Sequence, residues 1–243
     1  MSLKSIMETV LVIGATGNIG VSAVTAALCS KRNVLAVVRN QASADKLVKY
    51  IGSSNGITFV EANVLSDSGI KGVVDKVREG KLPGFQHVFS SVGGEYTTTP
   101  LQEITTTQLR RNFNVSFEAN FFAYRDTIGY LLEQNNPAST WTICTGAQGD
   151  LAIRPMPAMT QGALFSMTTA AARENVSTNV RFNEIYLAFR VEVDELAVQH
   201  GVTKSSDFGN VYELILANPE VRSSRIRVDD LDDLEKLKYQ KKF

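Results

Sequence analysis

Apolar and polar residues follow two alternating patterns along this chain, and together they predict strands and helices in turn. Short apolar runs are typical of strands buried inside a sheet, and apolar residues three or four positions apart are typical of helices packed on it. The predicted strands cover residues 10–13, 34–38, 57–60, 87–92, 141–145, 180–187 and 223–228. The predicted helices cover residues 21–28, 43–51, 67–79, 107–134, 158–173, 194–199 and 207–217. This alternation predicts one α/β domain over residues 1–243, with a doubly wound parallel sheet covered by helices on both faces.

The ends of some elements carry their own signals. We expect Ser43 to cap the second helix, and the sequence Asn135-Asn136-Pro137 to end the long helix that starts near Thr107. The lysine-rich residues 236–243 are expected to form a solvated or frayed tail, so residues 235–243 are predicted to be flexible.

Three glycines follow the first strand and precede the first helix. Gly14 permits a tight turn, Gly17 lets a pyrophosphate approach the backbone, and Gly20 lets the helix pack close to the strand. Free N–H groups and the positive dipole at the start of the helix favour phosphate there. The residues expected to form this corner of a dinucleotide-binding fold are Gly14, Thr16, Gly17, Asn18, Ile19 and Gly20. The alternative is a glycine-rich turn that only packs a helix on a sheet.

The residues after the second and third strands favour NADP(H) over NAD(H). A carboxylate at the end of the second strand binds the ribose 2′-hydroxyl of NAD, whereas an arginine pairs with the 2′-phosphate of NADP. Arg39 follows this strand with no carboxylate beside it, and its planar guanidinium suits phosphate. After the third strand, Asn63 can meet the adenine amino group and Val64 can cover the ring. The alternatives are a surface arginine and a simple asparagine turn.

Composition narrows the possible function classes. The 243 residues include 25 Lys plus Arg and 25 Asp plus Glu, so no basic excess indicates binding to nucleic acid or to a membrane surface. The apolar runs are too short to span a membrane, and residues 1–8 lack the features of a secretory signal. Cys29 and Cys144 are expected to be reduced, packed thiols of a cytoplasmic protein. His87 and His200 have no second ligand at usable spacing, so no metal site is expected.

These motifs resemble the short-chain dehydrogenase/reductase family in its one-domain form, and the resemblance extends over nearly the whole chain. The family implies a Rossmann sheet that binds a nicotinamide dinucleotide. The glycine spacing is similar to that of the family's extended and atypical branches, and Asn63-Val64 stands where the family usually has Asp-Val. Ser91-Val92-Gly93 resembles the segment that lies along the cofactor. Asn114 matches the asparagine that helps to organise the family's active site.

The chain departs from the family at the residues of proton transfer. The family uses Ser, Tyr and Lys, with the Tyr and Lys four residues apart on the helix after the fifth strand. Matching this helix places Pro157 at the Tyr position and Gln161 at the Lys position. Proline has no proton to give, while the amide of Gln161 can still hydrogen-bond a ribose of the cofactor. Thr145 is the nearest hydroxyl to the Ser position, within a register of one residue.

Other groups could meet the alkoxide that develops when hydride reaches a carbonyl. The candidates lie on loops at the carboxyl ends of strands, where open α/β sheets bind ligands. They are Thr145, Tyr96, Tyr186, Asp150 and Arg154, and the expected catalytic set is Asn114, Thr145 and Tyr96. The alternatives are packing for Tyr96 and Tyr186, and a solvated loop for Asp150 and Arg154.

The sequence therefore predicts an NADP(H)-dependent oxidoreductase that acts on a small hydrophobic organic molecule through a non-standard proton donor. The apolar residues of the loop 148–159 could line its pocket, or could simply pack the loop; they are Pro155, Met156, Pro157 and Met159. Two alternatives stay open: a redox-neutral isomerase or cyclase on the same fold, and a non-catalytic NADP(H) sensor.

The long helix carries more aromatic residues than one buried face requires. Phe121, Phe122 and Tyr124 cover more than one side of it. A wide apolar face favours a subunit interface, so we expect a homo-oligomer, either a dimer or a tetramer. The alternative is that the extra aromatic residues line a pocket.

Overall fold

The computed structural model describes residues 7–94 and 96–243, and its centre is an eight-stranded sheet. The strands are β1 Thr9–Ile13, β2 Asn33–Val38, β3 Ile57–Glu61, β4 His87–Ser90, β5 Thr140–Gly146, β6 Arg181–Leu187, β7 Val191–Glu192, β8 Thr203–Lys204, β9 Ser224–Val228 and β10 Lys238–Lys241. The sheet has the order β10-β9-β6-β5-β4-β1-β2-β3, while β7 and β8 pair separately. All neighbours in the large sheet are parallel except β9 and β10. The predicted doubly wound parallel sheet is confirmed, with one antiparallel strand added.

Helices cover both faces of the sheet. They are α1 Asn18–Cys29, α2 Gln41–Ile51, α3 Gly69–Arg78, α4 Thr106–Phe113, α5 Ala119–Gln134, α6 Gln148–Leu151, α7 Pro155–Glu174, α8 Asp194–His200 and α9 Ser205–Ala217. Successive residues of a strand point to opposite faces, so β1 contributes Val10 and Val12 to one core and Leu11 and Ile13 to the other. The first core packs against α1 and α9, and the second against α3, α5 and α7.

Two helices begin earlier than the sequence predicts, each for a local reason. The cap of α2 is Asn40, whose side-chain oxygen accepts the N–H of Ser43 at 3.0 Å, so the expected Ser43 cap is wrong. The helix α7 begins at Pro155, because a proline is tolerated in the first turn, where its missing N–H has no partner to lose. The predicted long helix is divided into α4 and α5 by a π-helical turn at Asn114–Glu118.

The end of the chain is ordered rather than frayed. The residues Lys238–Lys241 form β10, which pairs with β9 and covers the edge of the sheet. The backbone N–H of Lys242 then donates to the carbonyl of Ser223 at 2.7 Å. The expectation of a flexible tail is therefore wrong for residues 238–241, because the backbone of this edge strand pairs with β9 while its side chains remain exposed to solvent.

The largest buried side chain belongs to Trp141, the single tryptophan of the chain. Its indole N–H donates to the hydroxyl of Thr127 at 2.9 Å. Its ring stacks on Phe182 at a centroid distance of 5.3 Å, and Tyr124 meets it edge-on. The centre of β5 is thereby fixed to α5 and β6. Within the described residues, no helix is both long and apolar enough to cross a bilayer.

Candidate functional site

The crevice that could hold a ligand lies where the order of the strands reverses. The central strand β1 has β2 on one side and β4 on the other, and open α/β sheets bind ligands at the carboxyl ends of such strands. The loop after β1 carries Gly14 and the loop after β4 carries Ser91, and a Cβ on Gly14 would lie 3.0 Å from the Ser91 carbonyl. The two loops therefore meet at the floor of the crevice.

Each of the three positions in the first turn has a glycine for a different structural reason. Gly14 has φ +87°, a left-handed conformation that favours glycine. A Cβ on Gly20 would lie 2.0 Å from the carbonyl oxygen of Gly14, so α1 packs too closely for any side chain there. A Cβ on Gly17 would meet only an ordinary contact at 3.5 Å. The fold itself leaves the space beside Gly17 open, which is what a ligand that approaches this backbone needs.

The start of α1 presents donors without partners from a capping side chain. Its N-cap is Gly17, which has no side chain to accept the first N–H groups, so these groups can donate hydrogen bonds to a phosphate. The side chain of Asn18 is partly occupied, because its oxygen accepts the N–H of Val193 at 3.2 Å. Thr16 and Ile19 are half-buried beside this turn.

The residues expected around the adenosine lie on the same side of the crevice. Arg39 is exposed directly after β2 and has no hydrogen bond or ion pair with the residues the structure describes. Asn63 follows β3, and its oxygen accepts the N–H of Leu65 at 3.1 Å, as in the simple asparagine turn. That turn leaves the Asn63 amide N–H groups free for a base, and Val64 is half-buried next to it.

The loop after β4 contains a hydroxyl that the protein does not satisfy. The Oγ of Ser91 is buried and has no partner among the described residues, and a buried hydroxyl in a cofactor crevice is explained if a ligand completes its hydrogen bond. The carbonyl of Val92 accepts the Nδ2 of Asn120 at 2.7 Å, and Asn120 also accepts the hydroxyl of Ser90. Sequence reasoning missed Asn120, which anchors this loop. Gly93 is exposed beyond it.

Three residues from separate segments converge at the carboxyl end of β5: Gly146 ends the strand, Gln161 lies in α7 and Tyr96 lies in the loop after β4. The N–H of Gly146 donates to the Oε1 of Gln161 at 2.7 Å. A Cβ on Gly146 would lie 3.9 Å from the hydroxyl of Tyr96 and 3.8 Å from the same Gln161 oxygen. The hydroxyl of Tyr96 and the amide of Gln161 therefore both border Gly146, a position that has no side chain of its own.

The environment of Tyr96 keeps its phenol protonated at neutral pH. Its ring is 59% exposed, but its hydroxyl end faces the cleft, where burial raises the pKa of the phenol and the neighbouring Cys144 raises it further. The guanidinium of Arg154 acts in the opposite direction and lowers this pKa. The net shift is upward from the ordinary value, so the hydroxyl can donate a proton rather than remove one.

The other two expected catalytic residues are engaged elsewhere. Thr145 is 2% exposed, and its hydroxyl donates to the carboxylate of Glu184 at 2.8 Å. The amide of Asn114 donates to the carbonyl of Leu65 and to the carboxylate of Glu118. Neither has a hydrogen bond with Gly146, Gln161 or Tyr96, and Thr145 points into the core rather than into the crevice.

Glu184 is the centre of a buried ionic cluster that sequence reasoning missed. Its carboxylate is fully buried and accepts hydrogen bonds from Thr145 and Thr168. Arg225 binds the same carboxylate with both Nε and Nη2, at 2.9 and 3.1 Å, and the Nζ of Lys242 lies 2.6 Å from it. The cluster ties β5, β6, α7, β9 and the end of the chain together beneath the cleft.

The other residues that the sequence singles out mainly pack against their neighbours or lie in unreactive surroundings. Burial raises the pKa of the Cys144 thiol to about 12, whereas Cys29 is exposed, contrary to the expectation that both are packed. Tyr186 is 3% exposed between Phe165 and Arg227. Met156 and Pro157 are buried in the core and so do not form the expected pocket wall, whereas Leu151 and Ile153 of the same loop are exposed.

Comparisons with known proteins show the family of this chain. A family model for short chain dehydrogenases matches residues 8–192. The short-chain dehydrogenase/reductase iacG of Pestalotiopsis fici is 56% identical over 240 residues, which cover 97% of this chain and 96% of that protein.

Two solved structures are similar in fold. A short-chain dehydrogenase/reductase of the glucose/ribitol dehydrogenase type from Brucella melitensis has a TM-score of 0.76 at 21% identity, covering 92% of this chain and 96% of its own. ElxO with NADP bound has a TM-score of 0.77 at 14% identity, covering 89% of this chain and 94% of its own. At these identities the likeness concerns the fold.

Proposed function

This chain belongs to the short-chain dehydrogenase/reductase family, and from that premise we propose that it is an NADP(H)-dependent oxidoreductase in which Tyr96 serves as the proton donor. The observation that carries the proposal is the position of the Tyr96 hydroxyl, 3.9 Å from where a Gly146 side chain would begin, at a position that Gln161 also borders. The substrate is a small, largely hydrophobic organic molecule with a carbonyl, imine or activated alkene.

The cofactor half of the proposal is supported by groups that the protein leaves unpaired. The pyrophosphate of one dinucleotide would fit the open space at Gly17 and the uncapped start of α1. Its 2′-phosphate would meet the free guanidinium of Arg39, and its body would meet the unsatisfied hydroxyl of Ser91. Asn63 and Val64 would meet the adenine. When bound, NADPH supplies a hydride to the substrate.

The protein's own contribution to the reaction is to hold the substrate oxygen or nitrogen and give it a proton. The hydroxyl of Tyr96 donates to the atom that gains negative charge. The oxygen of Gln161 is fixed by the N–H of Gly146, so its Nε2 group is oriented as a donor toward the cleft, to a ribose hydroxyl or to the substrate. Because Pro157 has no proton and is buried, the donor must come from another loop.

Replacing Tyr96 by Phe tests this role. The Tyr96→Phe variant should lose about 10²–10⁴-fold in kcat with a panel of ketones, imines and enones, while its affinity for NADPH in calorimetry stays within about twofold of the wild type. The wild-type rate should fall at high pH as the phenol ionises, and the variant should lack that fall. The matched control is Tyr239→Phe on β10, which should retain full activity.

Two results would redirect the proposal. Unchanged kcat in Tyr96→Phe would remove Tyr96 from the reaction. Tight NADPH binding without turnover of any panel compound would favour a redox-neutral isomerase or cyclase, or a non-catalytic sensor, since the fold would then keep the cofactor without the reduction.

The aromatic surface of α4 and α5 supports a homo-oligomer, and we propose a dimer or tetramer that is assembled in the cytoplasm. The rings of Phe113, Phe117 and Phe121 form a continuous row with centroid distances of 6.3 and 6.4 Å, and Phe121 is 40% exposed. Burying such a row in a second subunit is favourable. Light scattering should show a multiple of the 26.6 kDa chain, and Phe121→Glu should give a monomer.

A further inference from the structure

Arg154 is a half-buried cation without a counterion. Its Nε is buried and has no hydrogen-bond partner, and its guanidinium forms no ion pair with a residue in 7–94 or 96–243. Removing a cation from water is costly unless an anion or hydrogen-bond acceptors replace the water. The structure therefore leaves a place that a negative group would complete.

The position of Arg154 places this charge at the substrate end of the cleft. It directly precedes α7, in the loop after β5, and its backbone N–H donates to the Oε1 of Gln148 at 3.0 Å, which fixes the loop. Its charge acts on the hydroxyl of Tyr96. The phosphates of a dinucleotide would lie at α1 after β1, and β5 is two strands away from β1, so roughly 10 Å separates the two sites.

The start of α7 adds to the positive potential. The helix has 20 residues, its N-cap Arg154 makes no side-chain cap, and Pro155 and Pro157 carry no N–H. The N–H of Met156 therefore points out of the helix end with no partner among the described residues, and the helix dipole favours an anion there.

Two carboxylates of the described part of the chain, Asp150 and Glu184, have partners other than Arg154. Asp150, on the same loop, interacts with the hydroxyl of Tyr186, and Glu184 is bound by Arg225 and Lys242. Beside the cation, Leu151 and Ile153 are 56% and 71% exposed. The surroundings of Arg154 thus combine an unpaired planar cation with an apolar rim.

We propose that Arg154 forms an anion-binding subsite and that the substrate is a carbonyl compound with an apolar body and a carboxylate. The guanidinium binds the carboxylate in a bidentate manner, Leu151 and Ile153 cover the apolar body, and the carbonyl oxygen is directed to Tyr96. The carbonyl part of this inference rests on the proposed oxidoreductase function, while the carboxylate part depends on Arg154 alone.

A matched pair of ligands separates the charge from the shape. Benzoylformate has a phenyl ring, a ketone and a carboxylate, and methyl benzoylformate differs from it by the loss of the charge. Calorimetry would be carried out on the protein saturated with NADP⁺, for the wild type, Arg154→Met, Arg154→Lys and the control Arg173→Met. Arg173 lies at the other end of α7.

We expect benzoylformate to bind the wild type, to lose at least about tenfold in affinity in Arg154→Met, and to show an intermediate loss in Arg154→Lys. The control should stay within about twofold, and added salt should weaken the wild-type complex. The ester should bind all four proteins equally, and the affinity for NADP⁺ should not change.

Three results would overturn the subsite: no binding of benzoylformate to the wild type, equal binding to Arg154→Met, or an equal loss for acid and ester, which would indicate a structural effect. A fourth is tighter binding of ionised 4-hydroxybenzaldehyde than of benzoylformate. This result would mean that the subsite binds a phenolate rather than a carboxylate. Arg154-dependent binding without any turnover would keep the subsite and reject the reductase. Turnover of neutral ketones with no preference for the acid would keep the reductase and reject the subsite.

Discussion

The two sides of the cleft are built in different ways. The cofactor side, which consists of the loops after β1, β2 and β3, uses backbone N–H groups, the absence of side chains at Gly14 and Gly17, and the free cation Arg39. The reaction side, which consists of the loops after β4 and β5 with the start of α7, uses side chains from three segments: Tyr96, Arg154 and Gln161. A site made of backbone groups tolerates little change in sequence, whereas a site made of side chains can be altered by substitution while the fold stays the same.

The same contrast holds below the cleft. The cofactor side rests on close packing, with α1 against the Gly14 carbonyl at a distance that excludes a side chain on Gly20. The reaction side rests on the carboxylate of Glu184, which is fully buried with two cations bound to it. The two sides of one fold are thus stabilised differently: close packing constrains the cofactor side, and a buried ionic cluster holds the reaction side.

The largest effect is expected from removing that ionic device. Glu184→Ala leaves Arg225 and Lys242 facing a buried cavity without an anion, and we expect it to lower the free energy of unfolding by about 3–5 kcal/mol. Urea unfolding measures the loss. Glu61→Ala, at an exposed carboxylate that ends β3, should change stability by less than about 0.5 kcal/mol. A small effect of Glu184→Ala would mean that the reaction side does not depend on the cluster.

Two glycines of the cofactor side should respond in opposite ways. Gly20→Ala forces α1 away from the Gly14 carbonyl, so we expect a loss of stability of about 2–3 kcal/mol. Gly17→Ala meets no clash within the protein, so its melting temperature should stay close to that of the wild type while its affinity for NADPH falls at least about tenfold.

Calorimetry together with thermal unfolding separates these two outcomes. If Gly17→Ala bound NADPH as tightly as the wild type does, the turn would be a packing feature only.

The next effect concerns the choice of cofactor. Arg39→Ala should weaken NADPH binding about 10–100-fold, because a charge-assisted contact to phosphate contributes roughly 1.5–3 kcal/mol, and should leave NADH binding nearly unchanged. Titration calorimetry with both nucleotides measures it. Lys49→Ala on α2, an exposed cation that forms an ion pair with Glu195, provides the control. Equal losses for both nucleotides would remove the assignment of NADP(H).

The smallest effect lies at the amino ends of the central strands, opposite the carboxyl ends that form the cleft. The hydrogen bond from His87 lowers the pKa of Glu8 from 4.5 to about 2 against the effect of burial, and Arg32 adds to the lowering. Because the folded-state pKa is depressed, this stabilisation is present above about pH 4.5 and is lost as the pH falls through about 2. With solvent screening it contributes about 1–2 kcal/mol.

Urea unfolding at about pH 6 and about pH 3 measures this dependence. Glu8→Gln should reduce the fall in stability between the two, and Glu103→Gln, at an exposed position, should not. Affinity for NADPH at neutral pH should be the same in both variants, because neither side chain faces the cleft.

The contrast between the two sides also explains what the sequence could predict. Gly14, Gly17 and Gly20 lie within seven residues of each other, so their spacing alone indicates the turn, and the alternation of apolar runs predicts the sheet. Tyr96, Gly146 and Gln161 are distant in sequence and meet only when the loop after β4 and the helix α7 pack at the carboxyl end of β5. Nothing local to Thr145 indicates that its hydroxyl turns to Glu184, and nothing local to the lysines of β10 indicates that they pair with β9.

One buried residue makes the folding of this protein visible without any label. Trp141 is the single tryptophan and is fully enclosed between Phe182, Tyr124 and Thr127. Its fluorescence should therefore be blue-shifted in the native state and move to longer wavelength only when β5 separates from α5 and β6. The emission lies where NADPH absorbs, so energy transfer from this indole gives a second optical signal, and one cuvette can report the integrity of the sheet and the arrival of the nucleotide separately.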